Sequence, residues 1–259
     1  MGWVVLKKRI IPLLLLKQNR MVKGKKFTNF KDTGNPITAV KVYSSQEADE
    51  LMFIDIEQNK KSKNVLLETI KEVSKQCSMP LAAGGGITCV QDVRNLLLAG
   101  ADKVLINSAL IDNPTLIQDV SQIFGSQCII GGIDYKTDRN TNLKHVYKDC
   151  GKTKLKLDPL KYALELQSLG VGEILLNSID HDGMMNGFDS HYIKKISELL
   201  NVPLIACGGA GNFMHLVELF KNSSTSAAAC ASLFHFGDNN PIRARSFLRN
   251  YKIPMRSLK

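Results

Sequence analysis

Four aspartates, Asp55, Asp134, Asp180 and Asp182, each follow a short run of β-forming residues. A carboxylate at the end of a strand can give or take a proton when its pKa suits the reaction. Two glycine clusters stand in similar settings. One is Gly84, Gly85 and Gly86, with Asn107 and Ser108 downstream; the other is Gly208, Gly209 and Gly211, with Ser232 downstream. Glycine turns leave backbone N–H groups open to a phosphate, because no side chain keeps the oxygens away, and Ser or Asn adds a hydrogen bond. Tight turns alone explain either cluster, but two of them at equivalent places favour a ligand phosphorylated at both ends. A third set is Arg9, Glu50, Lys103 and Glu173, each at the N-terminal end of a candidate strand. Two cations and two carboxylates brought together at a barrel floor would compensate charges that are costly to bury singly. Ordinary surface strand ends account for their spacing equally well.

Eight β-rich runs can position these groups: Arg9–Leu15, Glu50–Asp55, Met79–Ala83, Asp102–Ile106, Gln127–Ile133, Glu173–Asn177, Val202–Ala206 and Ala227–Ala231. Between them lie stretches of helical period, such as 65–76, where Leu66, Ile70 and Val73 share a face, and 193–200. Ile37 to Glu47, with Val40 and Tyr43 at helical spacing, reads as a core-facing helix. Strands alternating with helices argue for a parallel sheet covered by helices, and eight such units in 259 residues predict a (β/α)8 TIM barrel. A doubly wound sheet would carry a glycine fingerprint after its first strand, whereas the dense cluster here follows the third.

The chain also resembles itself. Pro80 and Pro203 lie 123 residues apart, Gly84 and Gly208 124, and Asp55 and Asp180 125. A spacing so constant, near half the length, predicts one closed domain over residues 1–259 built from two half-barrels, about 1–124 and 125–259. The repeat places Leu15 opposite Asp134, and a leucine cannot transfer a proton.

Composition removes several classes. With 44% apolar residues the chain is an ordinary globular one, and its longest apolar run, Ile10 to Leu16, is too short for a bilayer. Lys7, Lys8 and Arg9 before that run imitate a secretion signal, but no small-residue cleavage site follows and Lys17 to Arg20 read as a polar loop, so the run is a strand and the cytoplasm the expected address. Lysines cluster without interleaved aromatics, so the net charge of +10 points to small phosphorylated ligands rather than nucleic acid. The six cysteines have neither disulfide nor zinc spacing and read as reduced, at least five of them as small buried hydrophobes. The five histidines lack metal-ligand spacing and read as turn or surface residues, except that His235 lies near the second glycine cluster. No metal or cofactor is implied, and nothing suggests a membrane partner.

Against these residues stands a close resemblance to the cyclase subunits of imidazole glycerol phosphate synthase, from histidine biosynthesis. It runs through Lys8-Arg9-Ile10-Ile11-Pro12, Arg20-Met21-Val22-Lys23-Gly24, Gly84-Gly85-Gly86-Ile87, Ile106-Asn107-Ser108-Ala109, Asp180-His181-Asp182-Gly183, Gly208-Gly209-Ala210-Gly211-Asn212 and Phe234-His235-Phe236-Gly237. The resemblance implies a glutaminase subunit on the N-terminal face, ammonia passing along the barrel, and cyclisation and cleavage of a doubly phosphorylated nucleotide at the C-terminal face. It implies further that Arg9, Glu50, Lys103 and Glu173 form the ammonia gate, that Asp134 is catalytic, and that Lys23, Asp182 and Gly183 join the two glycine clusters at the phosphates. The sequence departs from the family at Leu15, where the second catalytic aspartate belongs; Cys-Leu-Asp-Val reads Leu13-Leu14-Leu15-Leu16. Loss of one acid–base group costs on the order of 100-fold to 10,000-fold in rate. Asn177 and Met184 replace threonines, and the loop after Asp134 is rich in lysine. An intact floor below an altered mouth also fits a paralogue conducting ammonia for an amidotransferase of acetamidino surface sugars; Leu15, though not the intact floor, fits a non-catalytic phosphate-binding scaffold.

Overall fold

The computed structural model describes residues 7–57 and 60–256; residues 1–6, 58–59 and 257–259 of the expected domain lie outside the description. Eight parallel strands close on themselves: β1 Arg9–Lys17, β2 Leu51–Asp55, β3 Leu81–Gly84, β4 Lys103–Ile106, β5 Ile129–Thr137, β6 Glu173–Ser178, β7 Leu204–Cys207 and β8 Ala227–Cys230. Each pairs with its sequence neighbours, and β8 returns to β1 through Arg9 and Ala227. The expected TIM barrel is present, with every strand within about two residues of its expected start. β1 and β5 run on to Lys17 and Thr137, because each continues into an antiparallel ribbon that the expectation lacked.

Helices fill the connections and bury apolar stripes against the strands. Leu66, Ile70 and Val73 of the helix Lys60–Ser74 are all within 2% of complete burial, as the 3.6-residue period requires. Val40 and Tyr43 turn inward in the same way. Asn35, Asp158, Asn212 and Asn240 each accept a hydrogen bond from the first turn of the helix that follows, and three of them precede a proline suited to the first helical position.

A second apolar cluster fills the barrel itself, with Ile11, Leu13, Leu15, Met52, Leu105, Ile130, Leu175 and Ile205 facing the axis. Ala82, Ala227 and Ala229 face it too, so the β3 and β8 sides carry small residues above the floor.

The stretch expected as a polar loop, Lys17 to Arg20, is a tight turn. Gln18 and Asn19 both adopt left-handed backbone conformations, which suits a two-residue hairpin, and Arg20 begins the next strand. That strand, Arg20–Lys25, pairs with Thr28–Gly34 around a similar turn at Lys26 and Phe27. The lysine-rich loop after Asp134 is likewise a hairpin, with Lys144–Lys148 pairing back on β5. Lys144 binds Asp189 at 2.6 Å, Lys148 binds Asp112 at 2.5 Å and Lys154 binds Asp138, so carboxylates neutralise these cations.

The cysteine expectation needs correction. No disulfide joins the six, but only Cys128, Cys207 and Cys230 are buried, Cys77 and Cys150 are half-buried, and Cys89 is exposed at the start of a helix. Cys89 follows a strand-end turn, where its position faces solvent rather than the core.

Candidate functional site: the floor and the mouth of the barrel

At the N-terminal end of the strands the four predicted charges meet. The Arg9 guanidinium donates to Glu50 at 2.7 Å and to both oxygens of Glu173 at 3.2 and 2.6 Å. The Lys103 ammonium donates to Glu50 at 3.0 and 3.1 Å and to Glu173 at 2.6 Å. Each cation touches both carboxylates, so the four side chains close a ring of alternating sign around the axis. Burial raises the Glu173 carboxyl, but bonds and charge from Arg9 and Lys103 outweigh it and hold the group below its ordinary range.

The opposite end opens into a cavity of about 1120 Å³ between the strand ends and the two hairpins. Asp134, on β5, lies in its wall. Asn107 donates its amide to one oxygen at 2.7 Å and Asn177, on β6, to the other at 3.0 Å. Burial raises this carboxyl to about 7, against the two amide bonds that lower it and with a smaller push from the charge of Asp182. An acid so placed exchanges its proton near neutral pH, the condition for general acid–base work.

The other strand-end carboxylates have different tasks. Asp55 accepts from the Glu57 backbone and Asp180 from the Thr137 backbone, which fixes the loops that follow them. Asp182 pairs with Lys23 at 2.5 Å in a buried contact, and the Lys26 N–H bonds the Asp182 carbonyl. This contact ties the hairpin of residues 20–34 across the β6 loop, with Gly183 packed under Gly24.

The strand registers give Leu15 and Asp134 corresponding partners. Leu15 pairs with Ile54 on β2 as Asp134 pairs with Asn177 on β6, and Ile54 and Asn177 are themselves 123 residues apart. The counterpart of the Asp134–Asn177 pair is thus wholly apolar.

The glycine turns repeat as well. Gly85 has φ of +111° and a Cβ there would sit 2.2 Å from the Asp55 carbonyl oxygen; Gly208 has φ of +90° and its Cβ would sit 2.6 Å from that of Ser178. Only glycine fits both conformation and space. Gly84, Gly85 and Gly86 lie with Asn107 and Ser108 on one side of the mouth, Gly85, Gly86, Asn107 and Ser108 lining the cavity. Ser108 also accepts from the Asp149 N–H at 3.1 Å, so its hydroxyl already has a partner in the β5 hairpin. On the other side Gly209 and Gly211 pack against the backbone of Gly187 and Met185, and the Ser232 hydroxyl is buried with no partner. Both ring nitrogens of His235 are also buried there without partners, and burial, with a smaller contribution from the Lys23 charge, lowers its imidazole to about 4. Gly208 packs against Ser178 and Asn177, and Asn177 lines the cavity, so the second cluster borders the β6 side of the mouth.

The residues that the sequence reading passed over are those of the hairpins. Phe27 and Phe30 from the first, and Lys152 from the second, line the cavity. The asparagine in the Gln18-Asn19 turn is the signal that would have revealed the first. Among the described residues no group of three or more His, Cys, Asp or Glu side chains is placed to hold a metal, and no helix is long and apolar enough to cross a membrane.

Fold and mouth together define a TIM barrel whose polar groups gather at the C-terminal ends of its strands, where such barrels carry their chemistry. The chain belongs to the family described as histidine biosynthesis protein, whose model matches residues 9–240. Its relatives include proteins named imidazole glycerol phosphate synthase subunit HisF. That of Methanococcus vannielii is 37% identical, over 97% of this chain and 100% of the relative. That of Flavobacterium johnsoniae is 44% identical over 90% of this chain and 92% of the relative, and that of a Hydrogenobaculum species 42% identical over 97% and 100%.

Proposed function

We propose that this chain works in the cytoplasm as a cyclase-type subunit of an imidazole glycerol phosphate synthase. It takes ammonia from a glutaminase subunit on its N-terminal face and uses it at the mouth on a doubly phosphorylated nucleotide. The observation that carries the reading is the placement, on one axis, of a closed charge ring at the floor and an amide-clamped carboxylate at the mouth, in a chain related along nearly its whole length to synthase subunits. Arg9, Glu50, Lys103 and Glu173 act as the gate: parting one ion pair opens the floor, and the apolar interior with its alanines lets a small neutral molecule pass while opposing ions. Asp134 transfers the proton. The glycine turns hold the phosphates, with Ser232 supplying a hydroxyl and Lys23 moving from Asp182 to the incoming anion when ligand arrives.

With Leu15 in place of the second acid, the acid and base steps fall to Asp134 alone, and turnover is slow. Purified chain supplied with an ammonium salt and the nucleotide is expected to form imidazole glycerol phosphate slowly, and Leu15→Asp to raise the rate about 100-fold or more. No product from either protein would overturn cyclase chemistry. Leu15 favours one second reading, in which the chain conducts ammonia to a different acceptor, as for an amidotransferase of surface sugars. It then stimulates a glutaminase without turning over the nucleotide. A phosphate-binding scaffold would do neither.

A further inference from the structure

At the first glycine turn the expected side-chain donors are largely committed. Asn107 gives its amide to Asp134, and the Ser108 hydroxyl accepts from the Asp149 N–H. The turn can then offer a phosphate its backbone N–H groups and one hydroxyl proton. An anion taken out of water is costly unless a charged partner meets it.

One cation stands beside the turn. Lys63, near the start of the helix Lys60–Ser74, lines the mouth with Gly85, Gly86 and Asp92, and the same four residues line a small recess next to it. Its ammonium donates to Asp92 at 2.9 Å and to the Thr88 hydroxyl at 3.3 Å, and Thr88 follows Gly86 by two residues. Lys17 and Lys152 also line the mouth, but neither borders this recess: Lys17 lies 5.8 Å from the centre of the Phe30 ring, and Lys152 belongs to the hairpin after β5. The carboxylates of Asp55 and Glu57 share the wall as well. They accept the N–H groups of Glu57 at 3.0 Å and Gln18 at 2.7 Å, which hold them to the backbone.

Asp92 keeps its place without Lys63. It accepts from the Thr88 N–H at 2.8 Å and the Thr88 hydroxyl at 2.9 Å, which closes the turn into the helix Val90–Leu98. Burial raises its carboxyl, but bonds from Lys63 and Thr88 outweigh that and hold it below its ordinary range, so it is charged at neutral pH. The Lys63 side chain is 27% exposed, and an ion pair so open to water is weakly held. A lysine on its flexible stem can turn from one anion to another nearby.

We propose that Lys63 is the cation that meets the phosphate at the Gly84–Gly86 turn, held by Asp92 until the ligand arrives. The inference rests on the mouth being the ligand site and deepens that reading by naming the charged group for this phosphate. The opposite side of the mouth has a matching device in Lys23 and Asp182, so each side presents a lysine held by an aspartate.

NMR titration of the full chain with inorganic phosphate tests it, with the amide signals of Gly85 and Gly86 reporting the first turn and those of Gly208 and Gly209 the second. Lys63→Gln should weaken binding at Gly85 and Gly86 about tenfold, the effect of losing one charge-assisted hydrogen bond, and leave Gly208 and Gly209 unchanged. Asp92→Asn should tighten binding at Gly85 and Gly86 about threefold, because the lysine loses its competing partner and the phosphate a repelling neighbour. Unchanged affinity at the first turn in Lys63→Gln, or an equal loss in both variants, would overturn the assignment while leaving the phosphate reading standing. A response of the unaltered chain confined to Gly208 and Gly209 would overturn it too. No response at either turn would remove the phosphate reading and the assignment with it.

Discussion

Leu15 on β1 and Asp134 on β5 hold corresponding register positions, and their surroundings differ as sharply as they do. Asp134 has two amide donors and a carboxyl raised to about 7 by burial; Leu15 pairs with Ile54 in an apolar patch. The Asp134 group is raised above its ordinary value, so below about pH 4 it is protonated in folded and unfolded chains alike and costs nothing. As the pH rises from about 4 to about 7 the unfolded chain releases the proton first, and stability falls across that window. Asp134→Asn should remove this dependence: the two proteins should melt alike at pH 4, and the variant should be more stable at pH 8 by up to a few kcal/mol, at about 1.4 kcal/mol per pKa unit. Denaturant melts at both pH values check it, and equal stabilities at pH 8 would contradict the raised value. The same substitution should lower any turnover on the order of 100-fold to 10,000-fold.

The elements that turn the barrel into a site are its ribbons and turns. The hairpin of residues 20–34 is fastened by one buried ion pair, Lys23 with Asp182. Asp182→Ala leaves the ammonium buried without its partner, which costs about 3–5 kcal/mol if the hairpin stays down. Because lifting the hairpin lets Lys23 reach water, the expected outcome is local: hydrogen exchange should quicken over residues 20–34 while the helices keep their protection. Uniformly faster exchange across the chain would show that the pair stabilises the barrel instead. Gly85 tests the turns. With φ of +111° and a carbonyl 2.2 Å from any added Cβ, Gly85→Ala should lose about 1–3 kcal/mol or more, measured as a lower denaturation midpoint.

At the scale of the whole molecule the floor ring closes one end of the cylinder. Glu50 is almost fully buried and is bonded to two cations, so Arg9→Ala leaves two carboxylates sharing Lys103 alone. The expected loss is about 3–5 kcal/mol. Lys103→Met opens the ring differently, removing one cation while keeping its length. If the ring gates ammonia, this variant should uncouple glutaminase activity from synthesis, so that glutamine is hydrolysed without matching product; preserved coupling would deny the ring that role. The net charge of +10 belongs to this scale too, since the hairpin lysines at 144, 148 and 154 are already paired with carboxylates.

How much of this was legible beforehand follows from the range of each interaction. The alternation of strands and helices and the half-length repeat are local or periodic; they indicated the barrel, its strand ends and the correspondence of Leu15 with Asp134, and left the four charges open between a floor ring and ordinary strand ends. The ring's closure, the amide clamp and the division of tasks among Asp55, Asp134, Asp180 and Asp182 depend on partners tens to more than a hundred residues away. The hairpins were missed because Lys17 to Arg20 are polar and their strand character comes from pairing, not composition. Tertiary structure alone decided that Asp134 is clamped by Asn107 and Asn177 and that Leu15 pairs with Ile54, because burial and distance exist only once the chain has closed on itself.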